Sequence, residues 1–120
     1  AGVEDFINGA PNFKNAVRDR NKDDFCITLC HNPDATMAED MSCSDIILCG
    51  HTHGGQISLF GLWAPALSIT KITKYGQKFK GGWVKAQNNA NVFVSKGLGS
   101  HYNLRCMCPP EIILLNIKKI

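Results

Sequence analysis

Three histidines carry the clearest capacity for chemistry in this sequence: His51 and His53, two positions apart, and His31. Imidazole nitrogens suit zinc, iron, nickel and copper. In extended backbone, positions i and i+2 point to the same side of the chain roughly 6.6 Å apart, a spacing that lets two imidazoles serve adjacent metal ions. Gly54 and Gly55 follow at once. Their missing side chains are expected to let backbone and ligand approach closely. An H-x-H alone is weak, because isolated histidines are often plain surface or core residues. Its context adds weight, since each histidine segment follows a short apolar run.

Those runs are the elements that must position the imidazoles. Phe25 to Cys30 is nearly continuous and apolar, as in a strand covered on both faces, and it stops at His31. Asp45 to Cys49 is a second run of this kind, and it stops at Gly50-His51. Between them Pro33 and Asp34 supply a turn and a helix start, with Met37 and Met41 on one face of the short helix that follows. The order is that of a βαβ unit delivering a histidine at the C-terminal end of each strand, the edge at which open α/β sheets bind ligands. Upstream, Asn12 precedes Phe13, Ala16 and Val17, whose spacing gives one apolar stripe on a short helix. Beyond residue 56 the pattern changes to short strands at Gln56–Leu59, Gly82–Ala86, Asn91–Ser95 and Glu111–Ile117, with no helical periodicity. Residues 60–81 are long for a plain connection, and their length suits a functional lid or a partly mobile segment, between which the sequence does not choose.

Composition sets the outer limits. The 120 residues are 44% hydrophobic and 19% charged, ordinary for one globular unit, and no stretch approaches the roughly 20 apolar residues of a membrane-spanning helix. The sequence opens with neither an initiator Met nor a signal peptide, so Ala1 reads as a cut end. Lys71, Lys74, Lys78 and Lys80 cluster, but without an RNA-binding or helix-turn-helix signature they read as a solvated loop face, and no nucleic-acid partner is expected. Cys26, Cys30 and Cys49 lie in or beside apolar runs, where cysteine behaves as a small hydrophobe, which suits a reducing compartment. Cys106 and Cys108 form one C-x-C, with no second pair to complete a four-ligand site.

The run His31-Asn32-Pro33-Asp34, followed by Ser44-Asp45-Ile46-Ile47-Leu48-Cys49-Gly50-His51-Thr52-His53-Gly54-Gly55-Gln56-Ile57, resembles the last two motifs of the calcineurin-like metallophosphoesterases. The GHTHGGQI form is similar to a bacterial branch of phosphohydrolases, many of them membrane-anchored. Val94-Ser95-Lys96-Gly97-Leu98-Gly99 and Pro110-Glu111-Ile112 resemble the closing segment of that branch.

The resemblance implies an α/β fold: a mixed sheet with short helices, the C-terminal half of a four-layer α/β/β/α sandwich. Residues 1–120 would be the C-terminal part of one catalytic domain. It also implies that His31 and His51 ligate one metal and His53 the other, in a site of two divalent ions (Mn, Fe or Zn) whose bridging hydroxide attacks a phosphate monoester or diester. The family's D-x-H, GDxxD and GNH[ED] motifs do not occur in this chain, so the metal site is expected to be partial and the isolated chain inactive. The alternative is a non-catalytic module that keeps the fold for binding. Arg105 is a candidate phosphate contact, whereas Asn32 and Asp34 read as turn residues and His101 as a surface histidine. The parent protein is expected to be cytoplasmic or membrane-associated, with an anchor outside this segment, and the fragment to self-associate through an uncovered face.

Overall fold

The computed structural model describes residues 1–118. Helix α1, Phe13–Ala16, starts where the Asn12 side chain accepts the N–H of Asn15, and it buries Phe13. Strand β1, Ile27–Leu29, helix α2, Ala35–Ala38, and strand β2, Ile46–Cys49, form the expected βαβ unit. Its strands are parallel, with Ile27 opposite Ile46 and Leu29 opposite Leu48. After helix α3, Pro65–Ile69, strands β3, Gly82–Lys85, and β4, Asn91–Val94, complete a mixed sheet of order β1-β2-β4-β3. Strand β4 runs parallel to β2 and antiparallel to β3. Residues 1–3 lie along the outer edge of β1, where Leu29 donates to the Ala1 carbonyl at 2.9 Å and Val3 to the Leu29 carbonyl at 3.1 Å.

Alternation along the strands splits the sheet into two faces. On one, Ile47, Val92, Val94, Cys30 and Cys49 pack with Phe13, Ala35, Met41 and Phe79 into the buried core. On the other, the register aligns Leu29, Leu48, Phe93 and Trp83 in one row across all four strands. Leu29 and Trp83 of that row are 58% and 60% exposed. Ile113 and Leu115 lie over its middle, enclosing a cavity of about 140 Å³ with Leu48 and Phe93.

Three elements differ from the sequence reading. Residues 56–59 are not a strand: Gln56 has φ +60°, which breaks an extended run, and the segment forms only isolated bridges, Ile57 to Cys106 and Leu59 to Trp63. Residues 111–117 form no strand either, although their apolar content suits one, since none of the described strands pairs with them. The stretch from 60 to 81 contains α3, started by Pro65 in the first helical turn, where its missing N–H costs nothing. Five residues are too few for a helical period to be legible.

Candidate metal centre

Strands β1 and β2 end side by side, and the next residues stay together: Cys30 donates its N–H to the Leu48 carbonyl at 3.0 Å, and Gly50 to the His31 carbonyl at 3.0 Å. This brings the rings of His31 and His51 to 5.3 Å between centroids, nearly perpendicular at 78°. The backbone then coils. His51, His53 and Gln56 have φ of +67°, +51° and +60°, flanking Gly54 and Gly55 at +64° and +74°. The expected extended H-x-H is therefore replaced by a left-handed turn, and the parity argument that put both imidazoles on one side does not apply. Left-handed conformations cost a non-glycine residue roughly 1–2 kcal/mol each, and such clusters collect at functional sites.

The two glycines have a different role from the one expected. A Cβ on Gly54 would sit 2.5 Å from the Cys108 sulfur, and one on Gly55 would sit 2.5 Å from the Ala64 Cβ. The chain's own C-terminal loop and α3 take the space that a ligand was expected to use.

Each histidine of the turn is oriented by a backbone carbonyl. His51 Nε2 lies 2.9 Å from the Ile72 oxygen, and His53 Nδ1 lies 2.8 Å from the Gly99 oxygen. A carbonyl only accepts, so in both rings the bonded nitrogen carries the proton, and in a neutral imidazole the other, Nδ1 of His51 and Nε2 of His53, keeps its lone pair. This is the arrangement that fixes a metal-ligating histidine in tautomer and direction. The donor chemistry fits divalent metal ions. The histidines nevertheless fall into two pairs, since the His53 ring neighbours His101 at 5.9 Å between centroids. Among the described residues, no three His, Cys, Asp or Glu side chains converge as a metal-holding group.

The supports come from residues that looked ordinary in sequence. Asp34 is buried, and its carboxylate accepts the Thr73 hydroxyl and, at 2.8 Å, the Lys74 N–H, holding the loop whose Ile72 carbonyl orients His51. Asn32, also buried, accepts the Asp34 N–H at 2.9 Å, which keeps the turn after His31 closed. Arg105 donates to the carbonyls of His53, Lys96, Gly97, Gly99 and Cys108, so its guanidinium braces the His53 turn against the 96–99 loop. Glu111 joins the two closing segments, accepting the Lys96 N–H at 2.7 Å while its other oxygen lies 3.6 Å from the Lys96 ammonium.

Asp5 was not singled out from the sequence. The N–H groups of Asn8 and Ile7 hold its carboxyl below the usual range, with smaller contributions from His31 and His51. An aspartate in an N-terminal turn offers no spacing that would have revealed this. Cys30 and Cys49 are buried thiols at the ends of the strands that lead to the two histidines, and interaction with Cys30 together with burial pushes Cys49 above the ordinary thiol value.

Similar proteins share most of this chain. An uncharacterized metallophosphoesterase of Campylobacter jejuni is 34% identical over 110 residues, 91% of this chain and 27% of the relative. Phosphodiesterase YaeI of Escherichia coli is 31% identical over 91 residues, 76% of this chain and 32% of the relative. The UDP-2,3-diacylglucosamine pyrophosphatase LpxG of Chlamydia trachomatis is 31% identical over 119 residues, 95% of this chain and 35% of the relative. The chain thus spans about a third of the length of these relatives, in their C-terminal part. No family model matches the chain, and no solved structure does.

Proposed function

Because this chain belongs to the calcineurin-like metallophosphoesterase family, we propose that it is the C-terminal part of a divalent-metal-dependent phosphohydrolase acting on a phosphate mono- or diester. The reading rests on one observation above the others: His51 and His53 are each pinned through one ring nitrogen to a carbonyl, leaving the second nitrogen as a fixed lone pair. His31, His51 and His53 are the proposed ligands. Divalent ions held by these histidines would supply an acidified water as nucleophile and positive charge against that developing on the phosphoryl oxygens. The chain's own part is to hold three imidazoles at a sheet edge, with Asp34 and Arg105 as positioning residues. The name of LpxG adds a lipid-linked pyrophosphate to the substrate classes worth testing.

The row Leu29, Leu48, Phe93 and Trp83 supports a larger domain, because a sheet that is apolar on both faces needs cover on both. We assign that cover to the part of the protein that would precede residue 1, the second sheet of a sandwich; left bare, the same face would drive self-association.

The grouping of the histidines as His31 with His51 and His53 with His101 favours a second reading, a module that binds one metal or a partner without turnover. One experiment separates the two. A polypeptide containing this chain and its upstream sequence is assayed for metal content and for hydrolysis of model phosphodiesters with Mn²⁺. Turnover and near-two metal equivalents, both lost in His51→Ala, support the hydrolase. Stable metal binding without turnover favours the module, and turnover that survives His51→Ala at unchanged metal content defeats the assignment of that ligand.

A further inference from the structure

Charge is distributed unevenly along this chain. From residue 46 to residue 110 there is no Asp or Glu, while Lys71, Lys74, Lys78, Lys80, Lys85, Lys96 and Arg105 all fall in that stretch. Residues 1–45 carry nine of the ten acidic residues. The basic stretch also holds an exposed apolar group away from the sheet face. Leu59 and Trp63 pair as an antiparallel bridge, with Leu59 N–H to Trp63 carbonyl at 2.7 Å, and the tip between them turns through Phe60 and Gly61, both at positive φ. Phe60 and Leu62 at this tip are 80% and 82% exposed, and Ile69 at the end of α3 is 79% exposed.

The tip is not a loose loop that happens to be apolar. Its base is anchored by Ala64 and Leu67, both buried, and by the Gln77 side chain, which accepts the Ala64 N–H and donates to the Ala64 carbonyl and the Ser68 hydroxyl. Lys80 donates its ammonium to the Gly61 carbonyl at the tip itself, and Lys71 follows two residues after Ile69. Lys74 and Lys78 follow in the same stretch, Lys74 beside the Phe6 ring and Lys78 beside the Met37 sulfur. Among the described residues, none of these four lysines forms an ion pair.

We propose that this hairpin, with α3 and the lysines that follow, docks on an anionic lipid bilayer. An apolar tip of Phe, Leu and Trp fits the boundary between headgroups and acyl chains, where Trp is favoured, and surrounding lysines are attracted by anionic headgroups. A folded protein partner would complement the apolar tip but gives no reason for 65 consecutive residues without an acid; a nucleic acid would complement the charge and leave the tip in water. The bilayer accounts for both. The arrangement also couples the surface to the histidines, since His51 bonds the Ile72 carbonyl in the loop between α3 and Lys74.

The two tryptophans make the test specific, because Trp63 is in the hairpin and Trp83 is on the sheet face. The polypeptide that includes the upstream sequence, in which the Trp83 face is covered, is prepared with Trp83→Phe and with Trp63→Phe, each with an unchanged circular dichroism spectrum, and titrated with phosphatidylglycerol–phosphatidylcholine vesicles, the difference from the unsubstituted protein reporting each tryptophan. The expected result is a blue shift of Trp63 emission on anionic vesicles, none for Trp83, and partitioning that falls about fivefold for each of Lys71→Ala and Lys80→Ala. The exposed-tip variant Phe60→Ser/Leu62→Ser is expected to weaken partitioning at least about tenfold. Equal partitioning on pure phosphatidylcholine, a shift reported by Trp83 instead of Trp63, or an equal Trp63 shift with duplex DNA would overturn the proposal.

Discussion

Asp34 reaches across 39 residues of sequence to accept the hydroxyl hydrogen of Thr73, and the same carboxylate takes the N–H of Lys74. A buried acid in a turn after β1 thereby sets the position of Ile72, whose carbonyl fixes the His51 ring. The histidine at the end of β2 is oriented by the segment that follows the end of β1, through a loop that belongs to neither strand.

Asp34→Ala leaves the Thr73 hydroxyl and the Lys74 N–H without their acceptor in a buried setting. The expected loss is about 2–4 kcal/mol in urea unfolding, the scale of orphaning groups bonded to a charge. Asp34→Asn keeps one oxygen acceptor and should lose less. If the larger polypeptide binds metal through His51, both variants weaken that binding in the same order, measured by calorimetry with Zn²⁺.

Gly54 and Gly55 are predicted to be far less replaceable than Gly61, although all three have positive φ. Alanine at 54 or 55 meets Cys108 or Ala64 at 2.5 Å, so strain and overpacking combine, and a loss of about 2–4 kcal/mol is expected. Alanine at 61 meets nothing within 4 Å and should cost only the backbone strain, about 1 kcal/mol. Denaturation midpoints of the three variants give the order directly.

The βαβ unit and the strands at 82–85 and 91–94 were legible because short β-rich runs bounded by turn residues leave few other solutions. The pairing of His31 with His51 followed from where those runs stop. What the sequence concealed lies in contacts with backbone atoms: any residue could supply the carbonyls of Ile72 and Gly99, so nothing in their side chains announces a role 21 or 46 residues away. Arg105 was readable as a possible anion contact from its type alone, while its five carbonyl partners were invisible until the loop was folded. The left-handed turn was signalled only by the Gly54-Gly55 doublet, not at His51, His53 or Gln56.

Thiol chemistry follows burial. Cys43 and Cys106 are exposed, whereas Cys26, Cys30, Cys49 and Cys108 are buried. Alkylation of the folded chain should modify the first two and spare the other four, as read by peptide mass spectrometry. Cys30 and Cys49 act on one another in opposite directions, Cys49 raised and Cys30 lowered, so the pair holds its last proton on Cys49.

Arg105 offers the sharpest division between a substrate contact and a brace. Its Nη1 and Nη2 atoms are committed to carbonyls of His53, Lys96, Gly97, Gly99 and Cys108, which leaves them poorly placed to fork onto a phosphate. Lysine keeps the charge but cannot reproduce the planar fork. If the larger polypeptide is the proposed hydrolase with His53 as a ligand, and Arg105 braces the His53 turn, Arg105→Lys lowers kcat at least about tenfold, since a misplaced ligand is felt in the transition state, and leaves KM within about twofold. It should also lower the urea midpoint of the chain by itself, where no substrate is present. A variant that raises KM, keeps kcat and leaves the midpoint unchanged would mean that the guanidinium releases its carbonyls to hold the substrate, and the bracing role would be withdrawn.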